Sequence, residues 1–230
     1  MITTVLWDVD GTLLNFQEAE KASIFACFEH FGLGDCTQEM LSRYSAINTR
    51  YWKQLELGEL EKSQVLTGRF EDFFKTEGIN FSDYSAFNQE YQLRLGDTIC
   101  FNDNAYELIR ELKSTVKQYA VTNGTFTAQQ RKLTKSGLIT LFDGCFISDQ
   151  IGYEKPDLRF FQHVFEQIGP VNKEEILIVG DSLTGDIKGG NNAQIKCCWY
   201  NPQNLTPPDS LKIHYQIKNL WEIKEIIETI

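Results

Sequence analysis

The sequence predicts an α/β protein: a mainly parallel sheet with helices on both faces, carrying an inserted helical domain. Three observations predict it. Short apolar runs of strand length alternate with amphipathic helical patterns through the second half of the chain. Several of these runs end in polar, glycine-containing turns, as strands do when an α/β sheet presents a site at its carboxyl edge. One long stretch after the first strand, from about Gln17 to Leu95, has only helical periodicity.

The first strand is expected over Ile2 to Trp7, and it delivers Asp8-Val9-Asp10-Gly11-Thr12. In the helical stretch Met40, Tyr44, Ile47, Tyr51 and Leu55 recur at spacings of four and three. Leu66, Phe70, Phe73 and Phe74 make a second stripe, and Phe87, Tyr91 and Leu95 a third. Gly32, Gly34, Gly58 and Gly78 separate them as breakers. The pattern admits two readings, the helical part of one domain or a separately packed insert. So long a helical run after a single strand favours the insert.

Beyond it, Ala105, Leu108, Ile109 and Leu112 share a helix face, and Val116 to Val121 is a strand ending at Thr122-Asn123-Gly124. Thr127 to Ser136 is a helix closed by Gly137, and Cys145 to Ile147 a short strand. Pro156 is placed to open the next helix, with Leu158, Phe161, Phe165 and Ile168 as its stripe and Gly169-Pro170 as its stop. Ile176 to Val179 is continuously apolar, which suits a strand covered on both faces, and runs into Gly180-Asp181. Lys196 to Tyr200 and Ile213 to Ile217 are further strands, around a surface loop from Asn201 to Ser210. Leu220, Ile223, Ile227 and Ile230 make a closing helix with Asn219 as its cap.

Lys plus Arg total 22 against 32 for Asp plus Glu, a net charge of −10, with no basic cluster. That disfavours a broad nucleic-acid surface. It leaves room for a small phosphorylated ligand, whose charge a metal and one lysine offset locally. The 230 residues suffice to bury about 70% of the unfolded surface. The apolar runs fall far short of the roughly 20 residues that span a bilayer. Met1 to Leu6 lacks the basic region of a secretory signal. The six cysteines fit neither a zinc nor a redox motif, so buried thiols in a reducing, cytoplasmic compartment are expected. Monomer and homodimer are both compatible with the sequence.

The strand ends carry the chemistry. Asp8 and Asp10 follow the first strand, Thr122 and Asn123 the second, and Asp181 the fourth, with Asp186 five residues on. Lys155 stands just ahead of the helix expected at Pro156. Parallel strands bring these ends to one edge. Converging carboxylates repel, and a divalent cation resolves the repulsion. Oxygen donors without neighbouring His or Cys favour Mg²⁺ over Zn²⁺. Any one of these aspartates is equally a turn residue or helix cap; only the set argues for a cation. His30, His163 and His214 have no partnered nucleophile and are expected to be structural or superficial.

Asp8-Val9-Asp10-Gly11-Thr12-Leu13 resembles the first motif of the haloacid-dehalogenase-like phosphatase superfamily, Thr122-Asn123 the second, and Lys155-Pro156 the third. The run from Gly180 through Asp181 to Asp186 resembles the fourth. The stretch Asp186 to Ala193 together with Cys198-Trp199-Tyr200-Asn201 looks most like the bacterial pyrimidine 5′-nucleotidase branch. The resemblance implies a Rossmann-like core of residues 1–15 and 96–230 and a helical cap domain at 16–95. It implies a Mg²⁺-dependent phosphomonoester hydrolase working through an aspartyl-phosphate, on pyrimidine nucleoside 5′-monophosphates. Asp8 would be the nucleophile and Asp10 the acid and base. Mg²⁺ would be held by Asp8, the Asp10 carbonyl and Asp181. Asp186 would orient a metal-bound water or hold Lys155. Lys155, the Thr122 hydroxyl and the N–H groups around Asn123 and Gly124 would hold phosphate oxygens.

In the resemblance Asp10 also separates phosphatases from dehalogenases, which lack an acid there. Asn15 and Phe16 are the candidates for substrate contact, ahead of Tyr44, Tyr51 and Trp52, whose spacing equally suits a core. Arg43, Arg50 and Lys53 are read as solvated surface. A sugar-phosphate or phosphoglycolate phosphatase shares every core residue and is the nearest alternative. A non-catalytic phosphate-binding or regulatory protein is the alternative of another class.

Overall fold

The structure is a computed structural model and describes residues 1–170 and 172–228; Ile230, expected on the closing helix, lies outside them. The chain divides into two compact units, residues 1–16 with 99–230, and residues 17–98.

The first unit is built on strand β1 (Thr4–Trp7). The chain leaves it at helix α1 (Phe16–Phe31) and passes through α2 (Gln38–Glu56), α3 (Lys62–Glu77) and α4 (Tyr84–Asp97). It returns as α5 (Ala105–Leu112), β2 (Lys117–Thr122), α6 (Phe126–Lys135), β3 (Gly144–Ile147), α7 (Ser148–Ile151) and α8 (Leu158–Ile168). The last elements are β4 (Ile176–Gly180), α9 (Lys188–Ala193), β5 (Lys196–Tyr200), β6 (Tyr215–Ile217) and α10 (Ile223–Glu228). The six strands form one parallel sheet in the order β3-β2-β1-β4-β5-β6.

Strand periodicity sorts the core into two layers. Val5 and Trp7, Leu177 and Val179, and Cys198 and Tyr200 face α5 and α10. Leu6, Ile176 and Ile178, and Cys197 and Trp199 face Phe160, Phe161 and Val164 of α8. Adjacent Cys197 and Cys198 therefore point to opposite faces. All six thiols are free; Cys27, Cys197 and Cys198 are buried and the other three half-buried. Among the described residues no helix is long and apolar enough to cross a membrane.

Two expected helix details change. Helix α8 begins at Leu158, not Pro156, because the Asp157 carboxylate caps it by accepting the Arg159 N–H at 2.8 Å. Pro156 instead sits in the turn before it, closed by the Asp157 N–H on the Glu154 carbonyl at 2.8 Å. Its buried face is Phe160, Phe161 and Val164, while Leu158, at the first position, is exposed. Asn219 caps the C-terminal turn as expected, in a reciprocal arrangement with Glu222.

The second unit packs α2 on α3 and α3 on α4. Its core is aromatic: Phe28, Tyr44, Phe70, Phe73, Phe74, Phe87 and Tyr91 are fully buried, with Tyr44 stacked on Phe70 at 5.5 Å. The buried face of α2 is Leu41, Tyr44, Asn48 and Leu55, so the expected stripe is displaced and Met40, Ile47 and Tyr51 flank it. The cause is a polar seam. Glu20 accepts from Asn48 at 2.7 Å, Asn48 accepts from Arg69 at 2.8 Å, and Arg69 donates to Asn88 at 3.0 Å. Asn48 is buried because both neighbours need it.

The chain enters and leaves the second unit at adjacent points of the first. The Asn15 N–H donates to the Cys100 carbonyl at 2.8 Å, and Leu14 pairs with Phe101.

Candidate active site

The sheet register sets Asp8, Val121 and Gly180 abreast at the carboxyl ends of β1, β2 and β4. Lys155 enters between them from the turn ahead of α8 and is 2% exposed. Its ammonium donates to Asp8 Oδ1 at 2.8 Å, to Asp186 Oδ1 at 2.6 Å and to the Val121 carbonyl at 2.8 Å. All three of its donors are thus used. Burial alone would push this ammonium down; Asp186 and Asp8 more than offset it and hold it above the ordinary lysine value. Asn123 fixes the Lys155 backbone, donating to its carbonyl and accepting its N–H, both at 2.8 Å.

The Asp8 carboxyl is pushed up to about 7, by burial first and by Asp186 next, with Lys155 opposing. The Thr12 hydroxyl donates to Asp8 Oδ2 at 2.9 Å and accepts the Asp181 N–H at 3.1 Å. Asp186 rises from a single π-helical turn over Leu183–Ile187 and accepts the Ser182 N–H at 3.1 Å. Gly180 leaves space for it, since a Cβ there would lie 2.1 Å from Asp186 Oδ2. Gly11 has φ +89°, and its Cβ would lie 2.6 Å from Asp181 Oδ2. Asp181 is open to solvent on one side. The protein on its other side, and then Asp8 and Asp186, raise its carboxyl well above the ordinary value.

One oxygen each from Asp8, Asp181 and Asp186 lies within 4.8 Å of the others. These are hard oxygen donors crowded enough to raise one another's affinity for protons, the condition a divalent cation relieves. The donor set therefore fits Mg²⁺. The Asp186 carboxylate lies in the cluster and holds Lys155, one of the two places expected for it, while the Asp10 carboxylate turns elsewhere.

Asp10 is paired with two residues of α6 that sequence reasoning missed. Lys132 Nζ binds Asp10 Oδ1, and Gln129 Nε2 donates to Asp10 Oδ2 at 2.6 Å. Both α6 residues are 1% exposed. Their signal was a helix with few apolar residues beside the sheet edge, which must bury polar ones. Thr12 and Asn102 were missed as well. Asn102 donates to the carbonyls of Gly11 at 3.2 Å and Thr12 at 2.9 Å, steadying the loop after β1.

Thr122 is buried at the end of β2, its hydroxyl accepting the Gly124 N–H at 3.3 Å. Asn15 is half-buried and pairs through its backbone with Cys100. Phe16 lies with its ring 5.6 Å from Lys132 Nζ. Tyr44 belongs to the aromatic core of the helical unit. Arg43 and Arg50 pair with Glu77 and Asp72. The histidines lie elsewhere: His30 beside Glu90, His163 against Phe146, and His214 accepting the Cys197 N–H.

The family model described as haloacid dehalogenase-like hydrolase matches residues 5–200. The chain belongs to the haloacid dehalogenase-like hydrolases. Within that family, HAD-hydrolase YfnB of Bacillus subtilis is 35% identical over 224 residues, 97% of this chain and 94% of that protein. Its crystal structure, described as bound to magnesium and as revealing interdomain movement, superposes with a TM-score of 0.93 over 99% of both chains. Pyrimidine 5′-nucleotidase PynA of Streptococcus pneumoniae is 34% identical, over 97% of this chain and 94% of its own length. Pyrimidine 5′-nucleotidase YjjG of Escherichia coli is 26% identical, over 97% of this chain and 96% of its own. The shared fold of this hydrolase family is the parallel sheet described above.

Proposed function

We propose that this hydrolase is a Mg²⁺-dependent phosphatase acting on pyrimidine nucleoside 5′-monophosphates. The observation that carries the reaction is the buried Lys155 tying Asp8 to Asp186 at the mouth of the sheet. Full-length similarity to two pyrimidine 5′-nucleotidases supports the substrate class.

In this reading the Asp8 carboxylate attacks phosphorus in line, and the phosphorus–ester oxygen bond breaks. Asp10 gives a proton to the departing alkoxide. Water then attacks the aspartyl-phosphate, Asp10 takes its proton, and Asp8 and inorganic phosphate are released. Lys155 holds the Asp8 carboxylate in its attacking orientation and, as substrate enters, turns one of its three N–H donors from the protein to a phosphoryl oxygen. The Thr122 hydroxyl and the N–H groups of Asn123 and Gly124 bind the remaining oxygens. Asp8, the Asp10 carbonyl and Asp181 would hold Mg²⁺, with the Asp186 carboxylate close by. Bound there, Mg²⁺ supplies charge neutralisation between carboxylate and phosphate. The helical unit, residues 17–98, is assigned the role of cap domain on its place in the chain.

The test is a panel of UMP, dUMP, dTMP, purine monophosphates, phosphoglycolate and hexose phosphates, with Mg²⁺ and with EDTA. Pyrimidine monophosphates are expected to be turned over best, and only with Mg²⁺. Equal or faster turnover of sugar phosphates would overturn the nucleotidase reading. Tight binding without turnover across the panel would establish a binding protein instead.

A further inference from the structure

The Asp10 carboxylate does not stand free in the structure. Both of its oxygens are taken by α6, one by Lys132 and the other by Gln129. The pair is costly to build. Lys132 is 1% exposed, and its side chain makes an ion pair only with Asp10 among the described residues. Gln129 is 1% exposed, and its Oε1 is buried without a hydrogen-bond partner. A lysine and a glutamine in those positions give up hydration that Ala or Leu would not need. The two residues are three apart on α6, so they share a face and approach one carboxylate together. Gly124 permits the approach, since a Cβ there would lie 2.1 Å from Gln129 Nε2. The Phe16 ring lies 5.6 Å from Lys132 Nζ.

We infer that Lys132 and Gln129 are positioning residues, which hold the Asp10 carboxyl group in the one orientation from which it exchanges a proton with the leaving oxygen. This rests on the reading of Asp10 as acid and base given above. A carboxylate offers about four acceptor positions. One contact on each oxygen therefore fixes the plane and the rotamer of the group while leaving further positions open toward substrate. Without these contacts a short side chain on a loop samples several rotamers, and proton transfer loses its alignment. Neither residue need touch the substrate.

The leaving group supplies the test, because only a poor one needs its proton. Asp10→Asn, Lys132→Met, Lys132→Arg and Gln129→Ala would be compared with the unmodified protein on UMP and on p-nitrophenyl phosphate, each with Mg²⁺. General acid–base assistance contributes on the order of 10² to 10⁴ in rate. Lys132→Met and Gln129→Ala are expected to lower the single-turnover rate of uridine release from UMP by roughly 10- to 100-fold. Single-turnover release of p-nitrophenolate, a stable leaving group that needs no proton and departs before the Asp10-assisted hydrolysis common to both esters, should move by no more than about threefold. Lys132→Arg, which keeps a cationic donor, should recover part of the UMP rate.

Equal losses in the single-turnover release rate on both esters, or no loss on UMP, would overturn the inference. If Lys132→Met does not fold, Gln129→Ala decides alone. Asp10→Asn separates this inference from the one beneath it. If Asp10→Asn shows the leaving-group dependence and the α6 variants do not, the positioning role fails and Asp10 stands. If Asp10→Asn lacks it too, the assignment of Asp10 itself is refuted.

Discussion

Replacing Lys155 by Met removes one nitrogen and keeps most of the buried stem. That nitrogen contacts Asp8 at 2.8 Å, Asp186 at 2.6 Å and the Val121 carbonyl at 2.8 Å. In metal-free protein its loss leaves two buried carboxylates facing each other, with Asp181 beside them. Breaking a buried pair by removing one partner costs about 3–5 kcal/mol. At roughly 2–4 °C per kcal/mol for a chain of this size, the melting temperature should fall by roughly 6–20 °C.

The pH dependence has a definite sign. Asp8 is already pushed up to about 7 from 3.8, by burial and by Asp186, against the opposing effect of Lys155. Removing Lys155 raises it further. A carboxyl raised on folding contributes stability that is present below its unfolded pKa and is lost as pH rises through its folded pKa. The deficit of Lys155→Met should therefore be small near pH 4 and grow through pH 7. Mg²⁺ should raise the melting temperature of Lys155→Met more than that of the unmodified protein, because the cation replaces the missing positive charge. Thermal melts from pH 4 to pH 8, with EDTA and with Mg²⁺, measure all three effects. A deficit below about 1 kcal/mol at pH 8, or one larger at low pH than at high, would refute the reasoning.

Asp8→Asn should fold and lose nearly all hydrolysis, which circular dichroism and phosphate release would check together. Gly180→Ala should displace Asp186, since the added Cβ would lie 2.1 Å from its Oδ2. A cost of about 1–3 kcal/mol is expected from denaturant unfolding, together with a loss of Mg²⁺ affinity by calorimetry. Arg69→Met should leave Asn48 and Asn88 short of a donor in the helical unit. Denaturant unfolding should show it destabilised by about 2–4 kcal/mol. EDTA should abolish phosphate release and added Mg²⁺ restore it; full activity in EDTA would exclude a metal-dependent reaction.

The strands and the edge they share were legible because buried parallel strands are continuously apolar and their ends are not. Ile176–Gly180 and Lys196–Tyr200 declare themselves this way. Asp8, Lys155 and Asp181 were legible because each lies at such an end or in the turn beside it. Lys132 and Gln129 were not. They belong to a helix whose residues look solvent-facing one by one, and only the fold shows that this face meets Asp10. The buried face of α2 was misjudged for a related reason. Asn48 is polar, so a search for apolar stripes passes over it, yet Glu20 and Arg69 hold it inside. Position along the helix axis was predictable; rotation about it was not, wherever polar pairs replace apolar contacts.

The hydrogen bond between Asn15 and Cys100 bears on the order in which the molecule folds. For β1 to pair with β2, as in Thr4 with Lys117, the unfolded chain must close a loop on the order of 100 residues, costing roughly 4 kcal/mol in chain entropy. Once the helical unit has formed, residues 5–16 and 99–116 remain to be closed, on the order of 30 residues at roughly 3 kcal/mol. The difference is about 1 kcal/mol, or roughly sevenfold in the probability of the first strand encounter. The insertion that interrupts the sheet in sequence thus hastens its assembly in time, and a variant that melts the helices should slow the core's folding before it weakens the finished sheet.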